Sequence, residues 1–246
     1  MSNLESFSPK IETTGETIST EIINQTEISK FELSNIAATE DIADYISETI
    51  PLSHLEKCPA IRYEPVPNEL HPNAKGTFER DTHQICIWGE QFAGSQELIA
   101  TLTHEVGHNV HENIMANNPE LAQKWSNLHQ ESLGTYQQDG FGFVTEYART
   151  NQYEDFADTY MTYIGDPEKL QFYNPDKYEF MKDYVFAGQE YPPRLLGGYY
   201  LKEDGTYDWS LFNEQGEPKI LFWNPNSGTC DGSFNTCSYS TNGCSP

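Results

Sequence analysis

Leu98, Leu102, Val106 and Val110 recur four residues apart, and the pentad His104-Glu105-Val106-Gly107-His108 lies within this series. Apolar residues at that spacing form one stripe along a helix, and the stripe must be covered by the rest of the chain. Ser95 supplies an N-cap for this helix and Glu97 an acidic residue in its first turn. Residues four apart lie on one face, one turn above each other, so the two imidazoles point the same way. Such a pair holds one tetrahedral Zn2+ at about 2.0–2.1 Å. Glu105, directly after the first histidine, reaches a water in the open coordination position. Zinc lowers the pKa of that water toward about 7, and the carboxylate takes its proton. The five-residue pattern is short, and its weight comes from the amphipathic helix that carries it.

A third protein ligand is needed. His54, His71, His83, His111 and His129 stand in no recognisable ligand context, and His111, three residues past His108, reads as a surface or packing residue. A metzincin would have Gly where His111 stands and its third histidine where Ile114 stands; an Ile side chain binds no metal, so that class is disfavoured. A later helix, capped by Asn151 and buried along Phe156, Ala157, Tyr160, Met161 and Ile164, offers Glu154 and Asp158 on one face. Glu154 is a candidate ligand, and Asp158 a candidate acceptor for the distal nitrogen of a ligating histidine, which would orient the ring. Each has an ordinary reading beside it. Asn151-x-x-Glu154 resembles a capping box, and Asp158 would sit as well on a solvated helix face.

Elsewhere the chain reads as a mixture of elements. Residues 1–30, rich in Glu, Thr, Ser and Ile, read as a flexible acidic leader that includes the sequon Asn24-Gln25-Thr26. Ile36, Ala37, Ile42, Ile46 and Ile50 suggest one or two short helices between Phe31 and Ile50. Strand patterns fall at Ile61-Arg62-Tyr63 and Gln84 to Trp88, with prolines 65, 67 and 72 between them. Asn118-Pro119, Asp166-Pro167 and Asn174-Pro175 each read as a cap followed by a first-turn proline. Gly134 to Phe143, rich in glycine and aromatics, reads as a loop. After Tyr191 hairpin and strand signals predominate, so 31–189 is expected to be the catalytic domain and 190–246 a β-rich, Cys-containing tail or subdomain. Cys58 and Cys86 flank or sit within the strand patterns before and at Gln84 to Trp88 and could be bridged if the strands lie close, a geometry that sequence does not establish. Cys230, Cys237 and Cys244, evenly spaced in a Ser/Asn/Gly/Thr-rich tail, point to an oxidising, extracellular setting, although Met1 to Lys10 shows no signal peptide.

With 38 acidic residues against 14 basic ones, the net charge is -24. A surface this acidic repels phosphate backbones, which argues against nucleic acid and favours a protein or peptide partner. No apolar run is long enough for a membrane span.

His104-Glu105-Val106-Gly107-His108, followed by Glu146-Tyr147-Ala148 and Glu154-Asp155-Phe156-Ala157-Asp158, resembles the anthrax lethal factor-like zinc metallopeptidases, over roughly residues 35–187. That group includes the lethal factor catalytic domain and the secreted Pro-Pro endopeptidases of clostridia. The resemblance implies an α+β, gluzincin-like fold, with a small sheet packed on the active-site helix and further helices. It implies one Zn2+ on His104, His108 and Glu154, with Glu105 as general base. It implies that Tyr147, seven residues before Glu154, hydrogen-bonds the oxyanion of the reacting carbonyl. It also implies that an edge strand binds substrate by strand addition, for which Gln84 to Trp88 is the candidate. The cysteine-containing tail and the long segment between His108 and Glu154 depart from the family pattern, so substrate preference is not transferred and Pro-Pro specificity is only one possibility. The expected activity is zinc-dependent endopeptidase cleavage. The alternatives are a catalytically inactive zinc-bound module and a toxin or adhesin component whose working part is the tail.

Overall fold

The computed structural model describes residues 11–13, 16–89 and 92–191, and within them the architecture is α+β. The chain divides into two units, Met1–Gln91 and Phe92–Pro246.

The first unit is built on hydrogen-bonded strands. β1 (Ile11–Thr13) and β2 (Glu16–Ile18) form an antiparallel pair. The main sheet has five strands: β3 (Thr20–Ile23), β4 (Thr26–Ser29), β5 (Ala60–Glu64), β6 (Gly76–Glu79) and β7 (Gln84–Trp88), in the order β3-β4-β5-β7-β6. The three central strands run parallel, and both outer strands pair antiparallel. Parallel neighbours need a crossover. Between β4 and β5 it contains helix α1 (Thr39–Thr49), which lies against β3 and β4. Ile42 and Ile46 of α1 are buried, as are Ile28, Ile61, Tyr63, Ile85 and Ile87 of the sheet.

Two expectations are corrected in this unit. Residues 20–29 are not leader: they form the β3–β4 hairpin. Thr26 is fully buried and donates its hydroxyl to the carbonyl of Cys58 at 2.8 Å, so a polar composition is compatible with burial once each polar group is paired. Gln84–Trp88 is not an edge strand. It lies between β5 and β6, so its backbone groups are spent on two neighbours, and the sheet edges are β3 and β6. β6 went unread because Gly76-Thr77-Phe78-Glu79 is short and mostly half-exposed. Cys58 and Cys86 are buried and free. Cys86 pairs in register with Arg62, four residues beyond Cys58.

The second unit is helical: α2 (Ser95–Met115), α3 (Pro119–Asp139), α4 (Gln152–Gly165), α5 (Pro167–Tyr173) and α6 (Pro175–Phe180), the last running into a π turn at Met181–Val185. The Asx-Pro starts form as expected. Asn118, Asp166 and Asn174 each accept a backbone N–H three residues on, at 3.0–3.1 Å. Helix α2 begins one residue earlier than expected: Gly94 is the cap, Ser95 the first helical residue, and the Glu97 carboxylate accepts the Ala93 N–H at 2.7 Å. The expected Gly134–Phe143 loop is largely absent. Gly134 stays inside α3, and the helix stops only at Gly140, whose φ of +81° suits a residue without Cβ. A glycine in a helix costs about 1 kcal/mol, which tertiary packing of α3 overrides. The core of this unit centres on Trp125, whose ring lies 5.1 Å, centroid to centroid, from both Phe156 and Phe180. No described helix is long and apolar enough to cross a membrane. The expected β-rich tail falls outside the described residues, apart from 190 and 191.

Asn24 and Gln25 turn the β3–β4 hairpin with φ of +48° and +72°. Two positive φ values define the turn type that favours Asn-Gly. Gln25→Gly is expected to stabilise the first unit by about 0.5–1 kcal/mol, because it removes a side chain from the left-handed region. Urea unfolding followed by far-UV circular dichroism would register this as a raised midpoint. An unchanged or lowered midpoint would mean that the turn carries no such strain.

Candidate metal centre

Helix α2 buries Leu98, Leu102, Val106 and Val110 and turns His104 and His108 to one side. Helix α4 lies against that side. The contact is close because Gly107 stands at the crossing. A Cβ on Gly107 would lie 2.9 Å from the Ala157 Cα and 3.2 Å from the Tyr160 Cβ. Asn151 caps α4 by accepting the N–H groups of Tyr153 and Glu154 at 2.9 and 3.1 Å. The Glu154 carboxylate is thereby free to turn toward the histidines. The capping-box alternative is not the arrangement adopted.

The result is a group of three ligating atoms. His104 Nε2 lies 3.1 Å from Glu154 Oε2 and 3.1 Å from His108 Nε2, and His108 Nε2 lies 3.2 Å from Glu154 Oε2. A cation bound tetrahedrally at about 2.0–2.1 Å separates its ligands by about 3.3 Å. The three atoms thus stand almost where such an ion would hold them, and His104, His108 and Glu154 can hold a metal ion.

The hydrogen bonding behind the group points the same way. Asp158 Oδ1 lies 2.7 Å from His104 Nδ1. An ionised carboxylate only accepts, so Nδ1 carries the proton and the neutral ring presents a lone pair at Nε2. That lone pair faces a carboxylate oxygen and a second imidazole nitrogen. A positive centre, either a proton or a metal ion, must sit among the three atoms. The electrostatics express the same demand. Burial alone would lower the His104 pKa, but hydrogen bonds to Asp158 and Glu154 and the neighbouring carboxylates carry it well above its ordinary value. Burial would raise the Glu154 pKa, and the hydrogen bonds and charge of the two histidines hold it far below the usual carboxylate range.

Glu105 is buried beside these groups, and desolvation raises its pKa despite the opposing pull of His104 and His108. Tyr147 begins a 3-10 turn, Tyr147–Arg149, and brings its ring 5.9 Å from the His104 ring, centroid to centroid. Its phenol hydrogen-bonds Glu154. Burial, followed by the charges of Glu154, Glu105 and Asp158, pushes its pKa up and keeps it a neutral donor. Tyr147 as a residue is 46% exposed, with its ring beside His104.

The six residues picked out from the sequence for the metal site therefore meet in the second unit: His104, Glu105, His108, Tyr147, Glu154 and Asp158. His111 is buried edge-on against Tyr153 and Phe156, as a packing residue. Thr145 was not picked out. Its hydroxyl donates to Asp158 Oδ2 and accepts the Ala148 N–H at 3.0 Å, which ties the Tyr147 turn to the carboxylate behind His104. The available signal was a Thr three residues before Ala148, the spacing of a side-chain-closed turn. No protein-family model matches this chain, and no curated protein sequence matches it either.

Gly107→Ala would force α2 and α4 apart against backbone atoms. We expect it to weaken divalent-metal affinity about 10-fold or more, in line with overpacking costs of about 1–3 kcal/mol. Competition against a chromophoric chelator would measure this. An unchanged affinity would show that the helix spacing does not set the ligand group.

Proposed function

We propose that this chain is a zinc-dependent endopeptidase of the lethal factor-like, gluzincin type, acting on protein or peptide substrates. The observation that carries the reading is the near-tetrahedral convergence of His104 Nε2, His108 Nε2 and Glu154 Oε2 beside a buried Glu105. Two nitrogens and one carboxylate oxygen, with a further position left open, suit catalytic zinc better than a closed structural site. Bound zinc supplies a water of lowered pKa and a Lewis acid for the substrate carbonyl. Glu105 takes a proton from the attacking water and returns it to the departing amine nitrogen. Its burial next to the ligand group suits a carboxylate that must both accept and release a proton. Tyr147 donates its O–H to the oxygen that becomes negative as the carbonyl is attacked. Asp158 fixes the His104 tautomer and ring plane.

Elemental analysis should find one zinc ion per chain. Cleavage of an unbiased peptide library should stop on chelation and return with zinc. Removing the metal should also lower the melting temperature, since a ligand at about 1,000 times its Kd stabilises by about 4 kcal/mol. Glu105→Gln is expected to keep the metal and lose about 1,000-fold or more in kcat, and Tyr147→Phe about 100- to 1,000-fold with KM little changed. Wild-type cleavage by a zinc-loaded Glu105→Gln protein would sink the proposal.

A further inference from the structure

A second buried charged assembly lies behind the ligand group. Lys177 on α6 is 1% exposed. Its ammonium donates to Asp155 Oδ1 and Oδ2 at 2.6 and 2.7 Å and to the Gly142 carbonyl at 2.9 Å, and it sits 4.3 Å from the centre of the Phe143 ring. His129 Nδ1 lies 2.9 Å from Asp155 Oδ2. The ammonium's donors are thus all engaged. A buried pair of this kind contributes little net stability, because desolvation offsets the attraction; apolar replacements are often neutral or stabilising. What it provides is a fixed geometry, and the two groups it joins indicate what is being fixed.

Asp155 is the residue after Glu154, in the first turn of α4. Gly142 lies in the segment that connects α3 to the Tyr147 turn. That segment is held beside Tyr147 by Glu146, which accepts the Tyr136 hydroxyl at 2.5 Å, and is anchored to the later helices at two places. One is Thr145, which bonds Asp158. The other is Gly142, whose carbonyl also accepts Asn174 Nδ2 at 3.2 Å and whose N–H donates to the Tyr173 carbonyl at 3.2 Å. Gly142 has φ of +106°, and a Cβ there would meet the Ser132 carbonyl oxygen at 2.8 Å, so the backbone at this point has one close seat.

We propose that Lys177 is a positioning residue for Tyr147: its ammonium ties the connector that carries the phenol to the first turn of the helix that carries Glu154. The proposal rests on the peptidase reading for its functional consequence. The ion pair sets the distance between two segments that meet at the metal site, while Lys177 itself touches neither substrate nor metal.

The test combines Lys177→Met, of similar length and without charge, with Tyr147→Phe, and reads kcat and KM on a cleaved library peptide alongside zinc content. We expect Lys177→Met to keep its zinc and KM and to lose about 10- to 100-fold in kcat, the scale of a displaced catalytic group. In the Tyr147→Phe background the same change should cost less than about twofold, since no phenol is left to misplace. A readout free of catalysis is the fluorine spectrum of 3-fluorotyrosine placed at position 147 of the full zinc-loaded chain. Lys177→Met should shift or broaden its line. An equal loss in both backgrounds, or an unaltered kcat, would overturn the proposal, as would an unaltered fluorine line. If Lys177→Met fails to fold, Lys177→Gln serves instead. It removes the ammonium while keeping a polar head, and it should lose about 3- to 10-fold in kcat only when Tyr147 is present; no loss overturns the proposal. A wild-type chain that binds zinc and cleaves nothing would refute the peptidase reading alone, and the fluorine line would then decide the placement of Tyr147 by Lys177.

Discussion

Helix α2 meets helix α4 where Gly107 faces the backbone of Ala157, and the site depends on how close that meeting is. The two histidines are one turn apart on α2, which any helix would provide. Glu154 comes from another helix, and a carboxylate side chain is short. It reaches the imidazoles only because no Cβ separates the backbones at position 107. The Asn151 cap contributes from the other end. It satisfies the Glu154 N–H and leaves the carboxylate available to the histidines.

Around this contact the polar groups are ordered from the outside inward. Thr145 bonds Asp158, Asp158 bonds His104, and His104 turns its lone pair to the ligand group. Each buried polar atom in this line has a partner, as a low-dielectric interior demands. The same carboxylates that would help hold a cation also perturb their neighbours. Together with burial, which is the larger cause, they hold Tyr147 in its neutral form and Glu105 above its ordinary pKa. Burial and charge thus perturb a phenol and a carboxyl in the same direction within one site.

The legible parts of the fold were those with local causes. Asx-Pro caps and the apolar stripe of α2 depend on residues a few positions apart, and they form as read. The errors came where long-range packing decided. Gly134 looked like a loop residue, yet α3 runs through it. Thr26 and Ser29 looked like part of a solvated leader, yet their strand is buried against β5. Gln84–Trp88 was recognised as a strand but given the wrong place, since the order of strands in a sheet is not written in any one of them.

The sequence by itself determined the local chemistry. His104 and His108 share a face because the helix repeat is 3.6 residues, and Glu105 is next to them because the chain is covalent. The four-residue spacing likewise places Glu154 and Asp158 together on α4. Only the tertiary structure decided that this pair faces the histidines, that Glu154 is turned away from its own cap, and that Lys177 joins Asp155 and the Gly142 carbonyl in one buried cluster. Those outcomes depend on the separation of elements distant in sequence, and that separation is set by packing at positions such as Gly107 and Gly142, where a single absent Cβ determines how closely two backbones approach.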